Sequence, residues 1–575
     1  MKTYKQRTDS ILNKVEKIKK KRRKTVWISV VSSLCATLIL ANAAIFLPQT
    51  FVKFDNNGMG GNMMEAMPES STMHVTSDME WMEESFAPSY ERIVSQIKGV
   101  LEKNNVSDDA QGPSDSETLG EPQAPEEGEM SMEDSNVSQK PTATIENSVV
   151  EGNLFQRTDT HIFYINKAKN VRQSHQILVY SIAGESSEKV SSYTLKKDVY
   201  LGEEYVFIGR PTLYLSTDGN TLTVVAPCKT SGEITQYYTA IISVDVSDPT
   251  TLLETNRTYL SGSYQSSRMV DGALFISTRF SVSENPDFMV ESTFLPQYGG
   301  LKNRQSVQAN DILYPEEQSQ HAIYTTLCKI DQKTLQEQGF IAMFSMYTNV
   351  VVSHENIFMY DLISGTWGEE SSKQTLTRIH VIERENRLEY NGFVEVLGVL
   401  KNTDYVEEKA GILYVVTKNS RTNKENNYEI RLSDLELLAQ QEGLDAAKNA
   451  DLIEFYNGTW LDIGGDYRYS LKLETYEQTE TGLQSVAVYE LECSFSEDSD
   501  SYFIDKERGL FGLSARMWSR DNGLQISYLL LQFDGSNWRV LQTKTPCDSE
   551  SDTRAVLVEG YLYIFSCSTF YVISV

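Results

Sequence analysis

The sequence predicts an all-β protein whose main part is a β-propeller of about seven or eight four-stranded blades. Two recurring phrases and the scarcity of helical periodicity beyond residue 147 lead to this prediction. The first phrase is a turn followed by a strand with Leu or Ile beside Tyr or Phe at its centre. Its copies are DTHIFYIN at 159, RPTLYLST at 210, DGALFIST at 271, HENIFMYD at 354, AGILYVVT at 410, ERGLFGLS at 507 and EGYLYIFS at 559.

The second phrase is a strand that breaks at a polar turn into another strand, and it falls between copies of the first. Its copies are IISVDVSDPTTLLE at 241, TLCKIDQKTLQE at 326, YEIRLSDLELLAQ at 428 and LLLQFDGSNWRVLQ at 529. Several copies of the first phrase lie about 50 residues apart, which suits four strands per repeat. A four-stranded sheet buries both faces only when neighbours stack against it, so the pattern favours a propeller over 147–575. A tandem of β-sandwiches is the structural alternative.

The N-terminal part predicts a membrane anchor. Residues 1–24 carry 11 Lys and Arg against 2 Asp and Glu, and the uncharged run Val26–Leu47 follows them. This run is long enough to span a bilayer, so we expect a cytoplasmic stub over 1–24 and a single transmembrane helix over 25–47. The rest of the chain is then extracytoplasmic. A signal peptide cleaved after Ala43 is the alternative.

Residues 48–146 predict a disordered, acidic, Met-rich linker, because large apolar side chains are too few to form a core. Within it, Ile93, Val94, Ile97, Val100 and Leu101 recur at helical intervals. We expect a short amphipathic helix over 89–104, either docked on the main domain or a partner, or isolated and fraying.

The formal net charge of −28 argues against nucleic acid as a partner, because an acidic body repels phosphates. Five cysteines lie beyond the predicted anchor: Cys228, Cys328, Cys493, Cys547 and Cys567. They are widely scattered, without the short spacings of a metal cluster or a dense disulfide scaffold. We expect mostly buried thiols, with one disulfide bridge as the alternative.

The segment SSRMVDGALFIST predicts a hairpin. The Asp271-Gly272 pair suits a two-residue primed turn that joins Ser266–Val270 to Ala273–Thr278. If the first of these strands is the innermost strand of a blade, Arg268 lies near the mouth of the propeller channel.

Four longer stretches resemble secreted or membrane-anchored bacterial and archaeal proteins known only as β-propeller domain-containing. They are LSGSYQSSRMVDGALFIST (Leu260–Thr278), ANDILYPEE (Ala309–Glu317), DSYFIDKERGLFGLSARM (Asp500–Met517) and RAVLVEGYLYIFS (Arg554–Ser566). The similarity covers most of 148–575. At its start the chain keeps Val150-Glu151-Gly152 but has Asn153, Leu154 and Phe155 where the family usually carries acids. The resemblance implies a propeller and an extracytoplasmic address, without an established reaction.

The sequence predicts no catalytic residue, because no phosphate loop, nucleophile elbow or paired metal-binding histidines occur in it. Arg268, Asp311 and Tyr314 belong to the stretches shared with the family and are the candidate ligand- or partner-binding residues. Arg268 either holds a carboxylate of a ligand or pairs with Asp311 as a structural ion pair. We expect no metal or cofactor; calcium at Ser496–Asp505 or Asp548–Arg554 is the alternative to solvated loops.

These observations predict a membrane-anchored extracytoplasmic binding module for a protein or an envelope polymer. An extracytoplasmic hydrolase or lyase with its site in the propeller channel is the alternative function. Converging carboxylates in a deep channel favour the enzyme, whereas an exposed apolar or aromatic patch favours the binding module.

Overall fold

A computed structural model describes one helix and nearly all of the region in which the propeller is predicted. The described residues are 90–108 and 149–575, apart from gaps at 168–171, 233–234, 314–320, 345–348, 368–369, 386, 401–405, 420–421, 423, 445–452, 480–481, 497–500, 520–522, 546, 548, 550–551 and 568. The predicted anchor Val26–Leu47 and most of the predicted linker lie outside these ranges. Across the described ranges, no helix combines the length and the apolar character needed to cross a membrane.

The described residues form two compact units, one within 71–445 and one within 446–575. The first unit contains helix α1 (Tyr90–Asp108) and five β-sheets. Sheet 1 contains β2 (Phe155–Arg157), β3 (His161–Asn166), β4 (Gln176–Ser181) and β5 (Lys189–Thr194). Sheet 2 contains β6 (Asp198–Tyr200), β7 (Glu203–Phe207), β8 (Thr212–Leu215), β9 (Thr221–Thr230), β10 (Tyr237–Asp245), β11 (Leu253–Ser261), β14 (Gln297–Gly299) and β15 (Gln305–Ser306).

Three further sheets complete this unit. Sheet 3 contains β1 (Val149–Glu151), β12 (Ser263–Val270), β13 (Ala273–Ser281), β16 (Ile312–Leu313), β17 (Ile323–Asp331) and β18 (Glu337–Phe344). Sheet 4 contains β19 (Asn349–Val352), β20 (Asn356–Trp367), β21 (Glu370–Glu383) and β22 (Glu389–Leu397). Sheet 5 contains β23 (Val406–Lys409), β24 (Ile412–Lys418), β25 (Glu425–Arg431) and β26 (Glu436–Leu444).

The second unit contains three sheets. Sheet 6 contains β27 (Ile453–Glu454), β28 (Trp460–Asp466), β29 (Ser470–Thr479) and β30 (Gly482–Glu492). Sheet 7 contains β31 (Ser494–Phe495), β32 (Phe503–Asp505), β33 (Leu510–Ser519), β34 (Gly523–Phe533) and β35 (Trp538–Lys544). Sheet 8 contains β36 (Arg554–Val558), β37 (Tyr561–Ser566) and β38 (Thr569–Ser574).

The all-β prediction is confirmed, and the two phrases fall on defined strands. All four copies of the second phrase form hairpins: β10–β11, β17–β18, β25–β26 and β34–β35. Six copies of the first phrase lie on the strand after the first hairpin turn of a sheet. RPTLYLST instead lies on β8, which precedes β9.

The prediction of four strands per blade holds for sheets 1, 4, 5 and 6, whereas the other sheets differ. Sheet 2 has eight strands, sheet 3 six, sheet 7 five and sheet 8 three. In sheet 3 the difference arises at the edges, because β1 joins β12 on one side and β16 joins β18 in parallel on the other. The number of blades stays a prediction.

Sheet 4 buries both of its faces, as its strand β20 illustrates. Ile357 and Met359 pack into a buried cluster with residues of sheet 3, including Phe275. The alternate residues Phe358 and Tyr360 pack into a separate cluster with residues of sheet 5. Successive strand residues point to opposite faces, so an apolar run of this kind is stable only between two neighbouring sheets.

Helix α1 overlaps the segment in which the sequence predicts a helix, and it packs on the first unit. Ile93, Ile97 and Val100 recur at i, i+4 and i+7 and are buried. Ile93 and Ile97 belong to a core cluster with apolar residues of sheets 2 and 3. The Tyr90 hydroxyl donates a hydrogen bond to the Val307 carbonyl at 2.7 Å. The amphipathic face therefore has a binding partner within the same chain.

Candidate functional site

The hairpin that carries Arg268 has the predicted turn. β12 ends at Val270, β13 begins at Ala273, and the two residues between them both have positive φ, 51° at Asp271 and 77° at Gly272. This is the geometry of a type I′ turn, whose twist matches that of the strands. The predicted strand pairing and turn are confirmed.

The position of Arg268 depends on strand β1, which pairs antiparallel with β12 and places Glu151 directly opposite Arg268. The Arg268 guanidinium lies 2.5 Å from the Glu151 carboxylate, and each side chain is only 15% exposed. Arg268 also donates a hydrogen bond to the Ser267 carbonyl at 2.6 Å. We call these residues, with Gly152, Tyr214 and Tyr264, the Glu151–Arg268 cluster.

Hydroxyl groups complete this cluster. The Ser267 hydroxyl lies 2.8 Å from the Tyr214 hydroxyl and 2.8 Å from the Tyr264 hydroxyl. Tyr214 is fully buried, and this burial raises the pKa of its phenol well above the usual range, with Tyr264 contributing further. Tyr214 is therefore a neutral hydrogen-bonding group rather than a proton-transfer group at ordinary pH.

Gly152 explains how β1 approaches this cluster. A Cβ atom at this position would lie 2.7 Å from Cζ of Tyr214 and 2.8 Å from Cβ of Thr212. Real Cβ atoms do not approach so closely, so only glycine allows the chain to pass against the buried Tyr214 ring. Within the tripeptide Val150-Glu151-Gly152, Glu151 thus supplies the negative charge that faces Arg268, and Gly152 leaves the space that the Tyr214 ring needs.

The segment 149–157 connects three successive sheets. β1 pairs with β12 of sheet 3, Asn153 bridges to Leu213 of sheet 2, and β2 pairs with β3 of sheet 1. The Gln156 amide also donates to the Leu213 carbonyl at 2.9 Å. The Glu151–Arg268 ion pair lies at one end of this connecting segment.

The predicted alternative in which Arg268 pairs with Asp311 is wrong. Asp311 lies 2.8 Å from the largely exposed Arg387. It immediately precedes β16, and the order β1-β12-β13-β17-β18-β16 places four strand spacings between β12 and β16, a distance of about 19 Å. Burial raises the pKa of the Asp311 carboxyl, although Arg387 partly offsets this effect. The third candidate, Tyr314, lies outside the described residues.

Large apolar side chains are exposed at two hairpin ends. Trp518 and Leu524 are directly opposite each other on β33 and β34 and are 69% and 62% exposed. In the other unit, Val199 and Leu201 are exposed at the β6–β7 hairpin. Sequence reasoning did not single out these residues. No signal in the sequence marked Trp518 or Leu524, because both lie within strands and a strand pattern does not show which face lacks a neighbour.

Metal chemistry has no candidate among the residues that the structure describes, since these contain no group of three His, Cys, Asp or Glu able to hold an ion. Parts of both calcium candidates, 497–500, 548 and 550–551, lie outside that set. All five expected cysteines are described, and they are buried thiols, in agreement with the prediction.

Sheets built mostly of consecutive antiparallel strands, as found within each unit, are typical of β-propellers. The chain belongs to the family described as Beta propeller domain, whose model matches residues 141–452. A solved structure from Bacteroides fragilis, described as a "putative 6-phosphogluconolactonase", is similar over 59% of this chain and 82% of its own, with 10% identity and a TM-score of 0.23. No curated protein matches this chain.

Proposed function

We propose that this protein is a membrane-anchored extracytoplasmic binding module whose β-propeller sheets hold a protein or an envelope polymer. The observation that carries the proposal is the exposed pair formed by Trp518 and Leu524. A large aromatic ring and a leucine at one hairpin end leave substantial apolar area in water. Their burial by a partner would be favourable, and tryptophan is enriched among the residues that dominate binding energy.

The Glu151–Arg268 cluster fits this proposal in a supporting role. The charge of Arg268 is matched by Glu151 at 2.5 Å, and the mostly buried pair joins β1 to β12. A ligand carboxylate would have to replace Glu151 to use this guanidinium. We therefore assign Arg268 a structural role, in which it links β1 to β12. We assign Asp311 a surface ion pair with Arg387.

Capture from a cell-surface extract by the immobilised full chain tests the proposal. The wild-type protein is compared with Trp518→Ser and with Val488→Ser, a control residue that is 51% exposed in the same unit. We expect Trp518→Ser to weaken capture of one specific partner by at least about tenfold, as for a central interface tryptophan. Val488→Ser should leave capture unchanged. Equal capture by all three proteins would overturn the assignment of Trp518 to the contact, and no capture by the wild type would overturn the binding function.

The hydrolase or lyase alternative has a different outcome in the same experiment. An enzyme would shorten or modify the polymer in the extract and retain none of it, and Trp518→Ser would leave that turnover unchanged. Turnover of this kind would replace the binding module with the enzyme.

The membrane anchor is a separate part of the proposal and rests on the uncharged run Val26–Leu47 after the basic residues 17–24. Protease added to intact cells should degrade the region beyond residue 48 and spare the N-terminal stub. Replacing Ile39 and Leu40 with arginine should release the protein from the membrane fraction, because charged residues in the span oppose insertion. A protease-resistant C-terminal region in intact cells would contradict this topology.

A further inference from the structure

Three tyrosines on sheet 2 form a cluster that the proposed function leaves unexplained. Tyr205 on β7, Tyr238 on β10 and Tyr259 on β11 are all buried. The Tyr205 ring centroid lies 5.3 Å from that of Tyr238 and 5.3 Å from that of Tyr259, with tilted ring planes. We call this group the tyrosine cage.

A cation from the same chain fills the tyrosine cage. Arg304 precedes β15, and its guanidinium carbon lies 4.4 Å from the Tyr238 ring centroid, 5.5 Å from that of Tyr205 and 5.9 Å from that of Tyr259. One guanidinium nitrogen donates a hydrogen bond to the Tyr205 hydroxyl at 2.7 Å. The cage therefore has the size and ring orientation to hold a guanidinium group.

The contacts of Arg304 differ from those of Arg257, an arginine on β11. Arg257 makes a double hydrogen bond to Glu254, 2.8 Å at both contacts, and lies 3.6 Å from Asp198. Within the described part of the chain, Arg304 has no carboxylate within 4.0 Å, and its buried Nε has no hydrogen-bond partner. Aromatic faces and the hydroxyls of Tyr205 and Tyr238 therefore hold Arg304, so its departure breaks no ion pair.

The segment that presents Arg304 is small. β14 has three residues and β15 has two, and β14 pairs with β11 through only two residue pairs. Gly299 ends β14 and Gly300 begins the turn between the two strands, and Arg304 itself is only partly buried. Movement of this turn would open the tyrosine cage on the side from which Arg304 enters, while β11 and the three rings stay within sheet 2.

The net negative charge of the protein favours a basic binding partner. With a formal net charge of −28, the chain attracts cationic groups and raises their local concentration. A guanidinium on a basic partner segment is thus drawn to this protein before any specific contact forms. The same field makes a carboxylate or phosphate a poor candidate for the tyrosine cage.

We propose that the tyrosine cage is a recognition pocket for an arginine side chain of a basic partner segment, and that Arg304 is the chain's own occupant, which the partner's arginine replaces. This inference rests on the proposed binding function and names the chemistry of its partner. The rings supply cation–π contacts to the guanidinium, and the Tyr205 hydroxyl accepts one of its hydrogen bonds.

Binding of two small probes to the full chain tests this proposal. N-acetyl-argininamide carries the guanidinium, and N-acetyl-citrullinamide is its neutral counterpart of nearly equal shape. Arg304→Gln removes the internal competitor, so we expect it to bind the arginine probe about tenfold more tightly than the wild type does. Neither protein should bind the citrulline probe. Equal affinity of both proteins for the arginine probe, or equal binding of the two probes, would overturn the proposal.

A second variant shows whether the cage is the binding place. Tyr238→Leu keeps an apolar side chain but removes the ring closest to the guanidinium, so adding it to Arg304→Gln should abolish the gain. If Arg304→Gln does not fold, the wild type is compared with Tyr238→Leu alone. Loss of the weak arginine binding then supports the proposal, and unchanged binding overturns it.

The probe measurement needs no partner, so the two proposals fail separately. Absence of probe binding together with Trp518-dependent capture removes only the tyrosine cage. Probe binding without any capture removes only the proposed binding function of the whole protein.

Discussion

At the scale of single residues, the Glu151–Arg268 ion pair joins two positions that lie 117 residues apart in the sequence. Both side chains are 15% exposed, so their charges are largely removed from water and interact more strongly than a surface pair does. Removing one partner leaves a poorly solvated charge behind. The loss of stability should therefore exceed the contribution of an exposed ion pair.

We expect Glu151→Gln to lower the free energy of unfolding by about 2–3 kcal/mol, because Arg268 loses its countercharge while remaining mostly buried. The matched control is Glu436→Gln in the same unit, since the Arg431–Glu436 pair is 41% and 59% exposed. This control should cost less than about 0.5 kcal/mol. Urea unfolding measures both changes, and equal costs would contradict the assigned role of the pair.

Gly152 gives a steric prediction. Gly152→Ala places a Cβ against the fully buried Tyr214 ring, which has no room to move, and should cost about 2 kcal/mol. Gly232→Ala is the control, because its nearest neighbour is the flexible end of the Glu203 side chain. Thermal unfolding should separate the two variants. A Gly152→Ala protein as stable as the control would show that β1 does not pass so close to Tyr214.

His175 gives a pH dependence. Burial, with a smaller effect of Lys167, lowers the pKa of His175 to about 4 from 6.5. The unfolded chain binds a proton below pH 6.5 and the native chain does not, so stability falls as pH decreases from 6.5 to 4. The gap between the pKa values corresponds to about 3 kcal/mol. His175→Phe keeps an aromatic ring against Phe207 but has no group that takes up a proton. Between pH 6.5 and pH 4 its free energy of unfolding should therefore fall by about 3 kcal/mol less than that of the wild type. Identical pH profiles would contradict the prediction.

At the scale of elements, helix α1 is stabilised by its packing rather than by its own sequence, since Ile93 and Ile97 are buried against apolar residues of sheets 2 and 3. The predicted linker therefore contains a segment that is fixed to the first unit. We expect Ile97→Asp to release this helix, because a carboxylate cannot be buried in an apolar cluster without a partner.

Hydrogen exchange of the amides of residues 90–102 measures the release of α1. Ile97→Asp should lose protection throughout this segment, whereas Ser95→Asp, an exposed position of the same helix, should match the wild type. Protection that survives in Ile97→Asp would show that other contacts hold the helix.

Elements were predictable where local chemistry decides them. The Asp271-Gly272 turn was located to the residue, because a type I′ turn requires two successive positive φ values that this pair tolerates. The extra strands of sheets 2 and 3 could not be predicted. They have only two or three residues each, as in β1, β6, β14, β15 and β16. So short a strand has no periodicity to detect, and its partner is set by tertiary contacts.

The candidate site was predictable only in part for the same reason. Arg268 was located on the correct strand, but its partner lies on β1 and depends on a pairing between distant segments. The exposed Trp518 could not be distinguished from a core aromatic residue, because the strand pattern does not show which face lacks a neighbour. Arg304 sits in a polar turn between two very short strands, where nothing local indicates a cation held by aromatic rings.

At the scale of the whole molecule, the family match and the described sheets extend over different ranges. The match covers 141–452, whereas sheets 6, 7 and 8 continue the arrangement of consecutive antiparallel strands to residue 574. The exposed Trp518 and Leu524 lie in this later part, and the tyrosine cage lies in the matched part. Each compact unit thus carries one of the two surfaces for which we propose a partner.

The central claim is that the protein holds its partner without changing it, and the most direct measurement combines affinity with the mass of the partner. The captured partner is purified, titrated with the full chain, and weighed by mass spectrometry before and after prolonged incubation. We expect an unchanged mass, and a dissociation constant at least about tenfold weaker for Trp518→Ser. A partner that becomes shorter or chemically altered, with the same affinity for both proteins, would contradict the claim.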